Sequence, residues 1–299
     1  MELPIFKIRA SAASEILGGT IGLSDAQQFT LSGYRDRIKE FEAGDKKKAL
    51  TPKMQMEFDK LIYKEANPDL PAGAKTYCEK WLKEKLYDRR KNFTGKYLDK
   101  GIQCEEGSIV YGAEHLNWGP VQKNEEWFSD DWMEGTPDII AQLPIPGSSV
   151  DDDTIQNTVI DMKNVWDCFT LPLFETEIPT AGYYDQLQVY MHLVSLEYKI
   201  DFHNAILCYS LMDAPLDVMK KEMRRVSWEE GQMGLITDEI YQRVQREMTY
   251  SNLGPELRLK TFAVKFDPAV IEELKLRVEM CRVYIAQLIE NKQHLLQAA

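Results

Sequence analysis

The chain lacks long apolar runs. No stretch approaches the roughly 18 consecutive apolar residues that a membrane helix requires, so no transmembrane segment is expected. No secretory leader is expected at its start either, because Lys7 and Arg9 interrupt the first apolar run. Histidine is scarce: His115, His192, His203 and His294 show neither HExxH nor HxxxH spacing, which argues against a histidine-based metal site. The five cysteines (Cys78, Cys104, Cys168, Cys208 and Cys281) are odd in number and far apart, with no CxxC, so neither a zinc ribbon nor a disulfide framework is expected. They read as reduced, mostly buried thiols of a cytoplasmic protein. Positive charge is in deficit, with 36 Lys and Arg against 48 Asp and Glu and a net charge of −12. That argues against a protein that holds nucleic acid through bulk charge. It leaves room for an enzyme that works through bound cations, which invert the local field. Internal repeats, low-complexity tracts and a Walker A phosphate loop are absent as well.

The chain has 299 residues, 44% of them hydrophobic and 28% charged, enough for a real core. We read one compact domain: a helical N-terminal part over 1–100, an α/β core over 101–215, and C-terminal helices with a strand over 216–299. Periodicity predicts an amphipathic helix over 73–92, with Tyr77, Cys78, Trp81, Leu82 and Leu86 inward, and another from Gly101 to Leu116. Strands are predicted over 124–128, 135–143, 158–163, 204–211 and 257–266, and helices over 181–196 and 228–248. A last helix has Asp267 as N-cap and Pro268 at its first position. Asp151, Asp152 and Asp153 lie beside Pro144, Pro146 and Gly147 and read as a solvated hairpin loop.

Charge is segregated. Residues 75–100 hold nine Lys and Arg against four acids, whereas 105–153 hold twelve acids and one lysine. A basic block beside an acidic one suits a protein that grips phosphate with the first and metal with the second; two solvated surfaces are the alternative. Within the acidic block, Gly135-Thr136-Pro137-Asp138 leads into an apolar strand. A second apolar strand then runs into Asp161-Met162-Lys163. Neighbouring strands can bring Asp138 and Asp161 together, and Asp161 and Lys163 project from one face. Buried charge needs a reason. Two carboxylates sharing Mg2+ beside a lysine supply one; a strand-end ion pair between Asp161 and Lys163 is the other. The helix over 181–196 adds Tyr183, Gln186 and Tyr190 on one face, placed to orient the lysine, a water or a phosphate; a core glutamine with its hydrogen bonds satisfied is the alternative.

In order and spacing these residues resemble the PD-(D/E)XK nuclease superfamily, whose pattern ends in a helix with Q-x-x-x-Y, here Gln186 to Tyr190. The chain is similar to its phage-type exonucleases, the lambda-exonuclease-like or YqaJ-like viral recombinases. Their helix reads Y-x-x-Q-x-Q, matched by Tyr183, Gln186 and Gln188, and their S/T-P-D is matched by Thr136-Pro137-Asp138. The likeness covers 101–211 firmly and 8–17 more weakly. It implies an α/β restriction-endonuclease-like core, a mixed central sheet flanked by helices, with helical N- and C-terminal extensions. It implies a Mg2+-dependent deoxyribonuclease, an exonuclease that digests duplex DNA ends 5′ to 3′ in phage-type recombination or DNA processing.

The resemblance assigns metal binding to Glu105, Asp138, Asp161 and the Met162 carbonyl, with two Mg2+ ions and Mn2+ as a substitute. The family spacing G-x-x-x-E, counted from Gly101, selects Glu105; Glu106 and Glu114 are its rivals. Lys163 would position and activate water, and Gln186 and Tyr190 would orient Lys163 or the scissile phosphate. The segment Arg9-Ala10-Ser11 resembles the family's T-A-S, whose serine helps bind a 5′-phosphate, so Ser11 is the matching residue. The family's arginine falls on Pro4, and Arg9 is the candidate replacement. Lys83, Arg89, Arg90 and Lys91 would track the DNA backbone. A single-strand annealing protein, a homo-oligomer and a bacterial host cytoplasm belong to the same expectation. The alternatives are a structure-specific endonuclease or nickase, and a non-catalytic DNA-end-binding scaffold, for which an intact D-x-K has no use.

Overall fold

Thr158 to Met162 is a run of β-branched and apolar residues interrupted by one acid, a composition that favours a strand covered on both faces. The computed structural model of the chain, which describes residues 3–90, 95–144 and 155–291, places this run in a ten-residue strand, Ile155–Asn164. Its strands are β1 (Ile8–Arg9), β2 (Phe128–Ser129), β3 (Met133–Gly135), β4 (Ile139–Pro144), β5 (Ile155–Asn164), β6 (Asn204–Ser210) and β7 (Leu259–Lys265). Its helices are α1 (Ala13–Leu17), α2 (Asp25–Glu42), α3 (Pro52–Ala66), α4 (Ala72–Leu86), α5 (Lys96–His115), α6 (Ala181–Tyr198), α7 (Leu216–Glu229), α8 (Asp238–Met248) and α9 (Pro268–Asn291).

The chain divides into two compact units. One comprises Met1–Phe6, Ser14–Arg89 and Glu272–Ala299; the other comprises Lys7–Ala13 and Arg90–Ile271. The first unit is helical. Ser24 and Gln27 form a capping box at the start of α2, Thr51 caps α3, and Leu23, Leu31 and Leu61 pack together. The α9 residue Arg277 is buried and donates to the carbonyls of Ile16 (2.8 Å) and Gly19 (2.9 Å), tying chain segments far apart in sequence. Asp267 accepts from the Ala269 amide at 2.9 Å, as its N-cap position predicts.

In the second unit a four-stranded mixed sheet has the order β4-β5-β6-β7, with β5 and β6 parallel and the other pairs antiparallel. A smaller sheet has the order β1-β3-β2. One face of the large sheet buries Ile139, Ile160, Met162, Cys208 and Leu259 with Ile109 of α5 and with Trp118. The alternate residues of β5, Asp161 and Lys163, therefore stand on the other face. There α6 buries Gln186, Leu187, Val189 and Tyr190. Helices α7 and α8 pack through Val218, Met223, Ile240 and Val244.

Several boundaries differ from the sequence expectation. The run 135–143 is split between β3 and β4, because Pro137 cannot donate to a ladder. The expected strand over 124–128 reduces to β2, and α5 begins at Lys96, ahead of Gly101. The helix expected over 228–248 is α8 alone after the end of α7, since Gly231 and Gly234 adopt positive φ (74° and 86°) between them. Helix α4 stops at Leu86, so Arg89 and Arg90 follow it. Cys168 is exposed, and the other four thiols are buried. The Asp151 to Asp153 triplet and Lys91 lie outside the described residues. Among the described residues no helix is long and apolar enough to cross a membrane.

Candidate active site

Pro137 follows the end of β3 and delivers Asp138 to the start of β4, directly beside Met162 of β5. Asp138 Oδ2 accepts the Met162 amide at 2.7 Å. The Met162 side chain lies in the core on the opposite face, so only its backbone borders the site. Asp161 is 2% exposed. Its Oδ1 accepts from Gln186 Nε2 at 3.3 Å, and Gln186 Nε2 also reaches Tyr190 Oη at 2.8 Å. Its Oδ2 accepts no hydrogen bond of regular geometry and lies 2.6 Å from the Lys163 ammonium. The Lys163 ammonium also sits 4.7 Å from the centre of the Tyr183 ring. Gly135 is required by a close approach: a Cβ there would meet Tyr190 at 2.8 Å and Ala10 at 2.9 Å.

These side chains open onto a cavity of about 660 Å3 that Glu105, Asp138, Asp161, Lys163, Gln186 and Tyr190 all line. Of the three helix acids, Glu105 faces this cavity, while Glu106 and Glu114 are exposed on α5 and do not border it. Glu105 pairs with Lys123 at 3.1 Å. Among the described residues no three His, Cys, Asp or Glu side chains converge as a ready metal cluster. Asp138 and Asp161 are neighbours across β4 and β5, and Glu105 lines the same cavity, where its charge raises the carboxyls of both.

Burial governs the electrostatics. It pushes the Asp138 carboxyl up to about 7, reinforced by the charge of Asp161 and opposed by the Met162 amide and Lys163. Burial likewise raises Asp161, against the pull of Lys163. Burial alone would lower Lys163, but the attraction of Asp161, and then of Asp138, wins and raises it, so the ammonium keeps its proton. Tyr190 is raised above the ordinary tyrosine value by burial and by Asp161, and stays a neutral hydroxyl.

Several lining residues were not singled out from the sequence. Tyr209 stands directly across from Lys163 in the β5–β6 register. The segment after β5 contributes Phe169, Thr170 and Leu171. It is tied by an Asp167–Thr170 turn and by buried Lys100, which donates to the Trp166 carbonyl at 2.8 Å. Burial lowers Lys100 to about 8. The register between Lys163 and Tyr209 was the available signal, but it required the order of the strands.

The remaining candidates lie elsewhere. Ser11 is exposed on a 3-10 turn, Ala10–Ala12, that packs on α6 and β3. Arg9 pairs with Glu134 at 3.6 Å. Lys83 is exposed on α4, and Arg89 and Arg90 are exposed beyond its end. None of these borders the cavity.

No protein-family model matches the chain, and no curated protein matches it. Solved structures do. A phage-related exonuclease from Haemophilus somnus 129PT aligns over 96% of this chain and 97% of its own, with a TM-score of 0.60 and 21% identity. An alkaline exonuclease from Laribacter hongkongensis aligns over 98% of this chain and 95% of its own, with a TM-score of 0.50 and 12% identity. Its complex with dAMP gives 0.52 and 11% over the same shares. Likeness at these identities is likeness of fold, and it extends over nearly the whole length. The chain thus has the fold of the phage-related and alkaline exonucleases, a mixed α/β core with helical extensions, the fold that the resemblance implied.

Proposed function

We propose that this chain is a Mg2+-dependent deoxyribonuclease that digests duplex DNA from its ends, 5′ to 3′. The carrying observation is the pairing of half-buried Asp138 with buried Asp161, with Lys163 on the same strand as Asp161 and 2.6 Å from an Asp161 oxygen that has no regular hydrogen bond. Two carboxylates pushed up, Asp138 by burial and by the charge of Asp161, and Asp161 by burial and by Glu105, are a poor arrangement for stability alone. They fit a hard divalent cation, which takes oxygen donors and keeps several waters. Asp138 and Asp161 would hold it, with the Met162 carbonyl and the cavity-facing Glu105 as further oxygen donors and Mn2+ as a substitute. Such a cation supplies Lewis acidity, neutralising charge on a phosphodiester and acidifying water.

The chain's own groups account for the rest of the chemistry. Hydrolysis forms a bond from water oxygen to phosphorus and breaks the bond from phosphorus to the leaving oxygen; the attacking water gives a proton to solvent and the leaving oxygen takes one up. The raised Lys163 remains protonated, so it orients the water and offsets charge on the phosphoryl oxygens as a donor, not as a base. Gln186 bridges Asp161 and Tyr190 and fixes the carboxylate that faces Lys163. The exposed Lys83, Arg89 and Arg90 would contact backbone phosphates without reading sequence. Ser11 would contribute to a terminal 5′-phosphate contact. Digestion of one strand leaves single-stranded DNA, the substrate of a strand-annealing partner in a bacterial cytoplasm.

The test is release of acid-soluble nucleotides from linear duplex DNA by the purified protein. Release with Mg2+, its loss in EDTA and its loss in Asp161→Asn are expected. Metal-independent release, or full activity of Asp161→Asn, would overturn the assignment.

A further inference from the structure

Tyr183 lies in the first turn of α6, on the same face as Gln186 and Tyr190, and lines the cavity. The Lys163 ammonium has two holds: the Asp161 carboxylate at 2.6 Å and the Tyr183 ring face, 4.7 Å from its centroid. The ring is itself braced. Tyr209 meets Tyr183 edge-on, with centroids 6.2 Å apart and planes at 70°. Phe262 meets Tyr209 the same way, at 5.9 Å and 80°. Tyr209 pairs in register with Lys163 on β5 and with Lys260 on β7, so these rings form a tier across one sheet face from the edge strand to the lysine.

The two holds differ in kind. The Asp161 carboxylate is also an oxygen donor that a divalent cation would take, and sharing its charge weakens its attraction for the ammonium. An aromatic face attracts an ammonium through its quadrupole and is no ligand for a hard cation. The ring contact therefore persists when the carboxylate is shared. We infer that Tyr183 is a positioning residue whose ring face, not its hydroxyl, keeps the Lys163 ammonium in the cavity. This rests on the nuclease reading of the same site.

Two variants separate the ring from the hydroxyl. Tyr183→Phe keeps the face, while Tyr183→Leu keeps apolar bulk and helix propensity without the quadrupole. Each full-length protein is assayed for kcat and KM on linear duplex DNA with Mg2+. Each is also labelled with 13C at lysine Cε, and the Lys163 signal is identified by its disappearance in Lys163→Arg. A ring face at this distance moves that signal upfield.

The expected kcat of Tyr183→Leu is about tenfold below wild type, the scale of a desolvated ammonium–ring contact, with KM little changed. Its Lys163 signal moves downfield of the wild-type position. Tyr183→Phe keeps most of the rate and the upfield signal. Wild-type kcat in Tyr183→Leu, equal loss in both variants, or an unmoved Lys163 signal in Tyr183→Leu would each overturn the inference. If Tyr183→Leu fails to fold, Tyr183→Met takes its place with the same expectations. If wild type cleaves no DNA, the nuclease reading falls, and the Lys163 signal still decides whether the ring holds the ammonium.

Discussion

Replacing Asp138 by Asn removes one of two close, mutually repelling carboxylates, half-buried Asp138 beside buried Asp161, and the sign of the effect follows from that arrangement. Asp138 is pushed up to about 7 in the folded chain, against 3.8 for an ordinary aspartate. A carboxyl whose folded pKa is the higher one costs the folded state nothing below its unfolded pKa. The cost then grows by about 1.4 kcal/mol per pH unit and is complete above the folded pKa. Across this interval it reaches roughly 4 kcal/mol. Asparagine escapes it and retains an oxygen to accept the Met162 amide that Asp138 Oδ2 now accepts. In EDTA at pH 8, Asp138→Asn should therefore be more stable by about 2–4 kcal/mol, or roughly 5–10 °C in Tm. The advantage should shrink as pH falls below 7 and vanish near pH 4. Added Mg2+ should raise the wild-type Tm, by about 2.7 kcal/mol of stability at a hundredfold excess over Kd, and barely move the variant. Thermal unfolding followed by circular dichroism, with and without metal, reads all of this. A variant no more stable than wild type at pH 8, or an advantage that grows toward acid, would refute the reasoning.

Lys163→Ala should lose about two to four orders of magnitude in kcat, since its charge acts on the developing transition state. Its DNA affinity in Ca2+ should stay near wild type; an equal fall in affinity would make Lys163 a phosphate grip instead. Lys83→Glu with Arg89→Glu should weaken binding to all sequences alike and flatten the slope of log affinity against log salt by about two units, and an unchanged slope would return these residues to a solvated face. Linear duplex with a 5′-phosphate should be degraded faster than duplex with a 5′-hydroxyl, and Ser11→Ala should narrow that gap. Equal rates on both ends in wild type would remove Ser11 from the DNA-end contact.

The sheet core was legible where composition and alternation agreed. The run into Asp161-Met162-Lys163, the Pro137-Asp138 entry to β4 and the apolar helix carrying Gln186 and Tyr190 lie where the sequence places them. The ion pair between Asp161 and Lys163, weighed as an alternative to a metal site, is present, and it coexists with a second, half-buried acid, Asp138. Long-range packing was not legible. Periodicity carries no information about which distant segments share a unit, so the grouping of α9 with residues 14–89 follows only from contacts such as Arg277 with Ile16. Lys123 was an isolated lysine in an acidic block until the fold set it against Glu105. The break between α7 and α8 had its signal in Gly231 and Gly234, which amphipathic periodicity over 228–248 outweighed. Tyr209 carries no motif of its own; its place beside Lys163 depends on the parallel register of β5 and β6.

The central claim, a cation-dependent nuclease that works from DNA ends, is tested most directly by comparing linear and covalently closed circular duplex of one sequence. Both are incubated with wild-type protein and Mg2+, with end-labelled linear DNA followed in time. Mononucleotides released first from the labelled 5′ ends, an untouched closed circle and no release in EDTA are the expected results. Nicking or linearisation of the closed circle at a comparable rate would contradict end-dependent digestion, and cleavage that persists in EDTA would contradict the metal-site reading of Asp138 and Asp161.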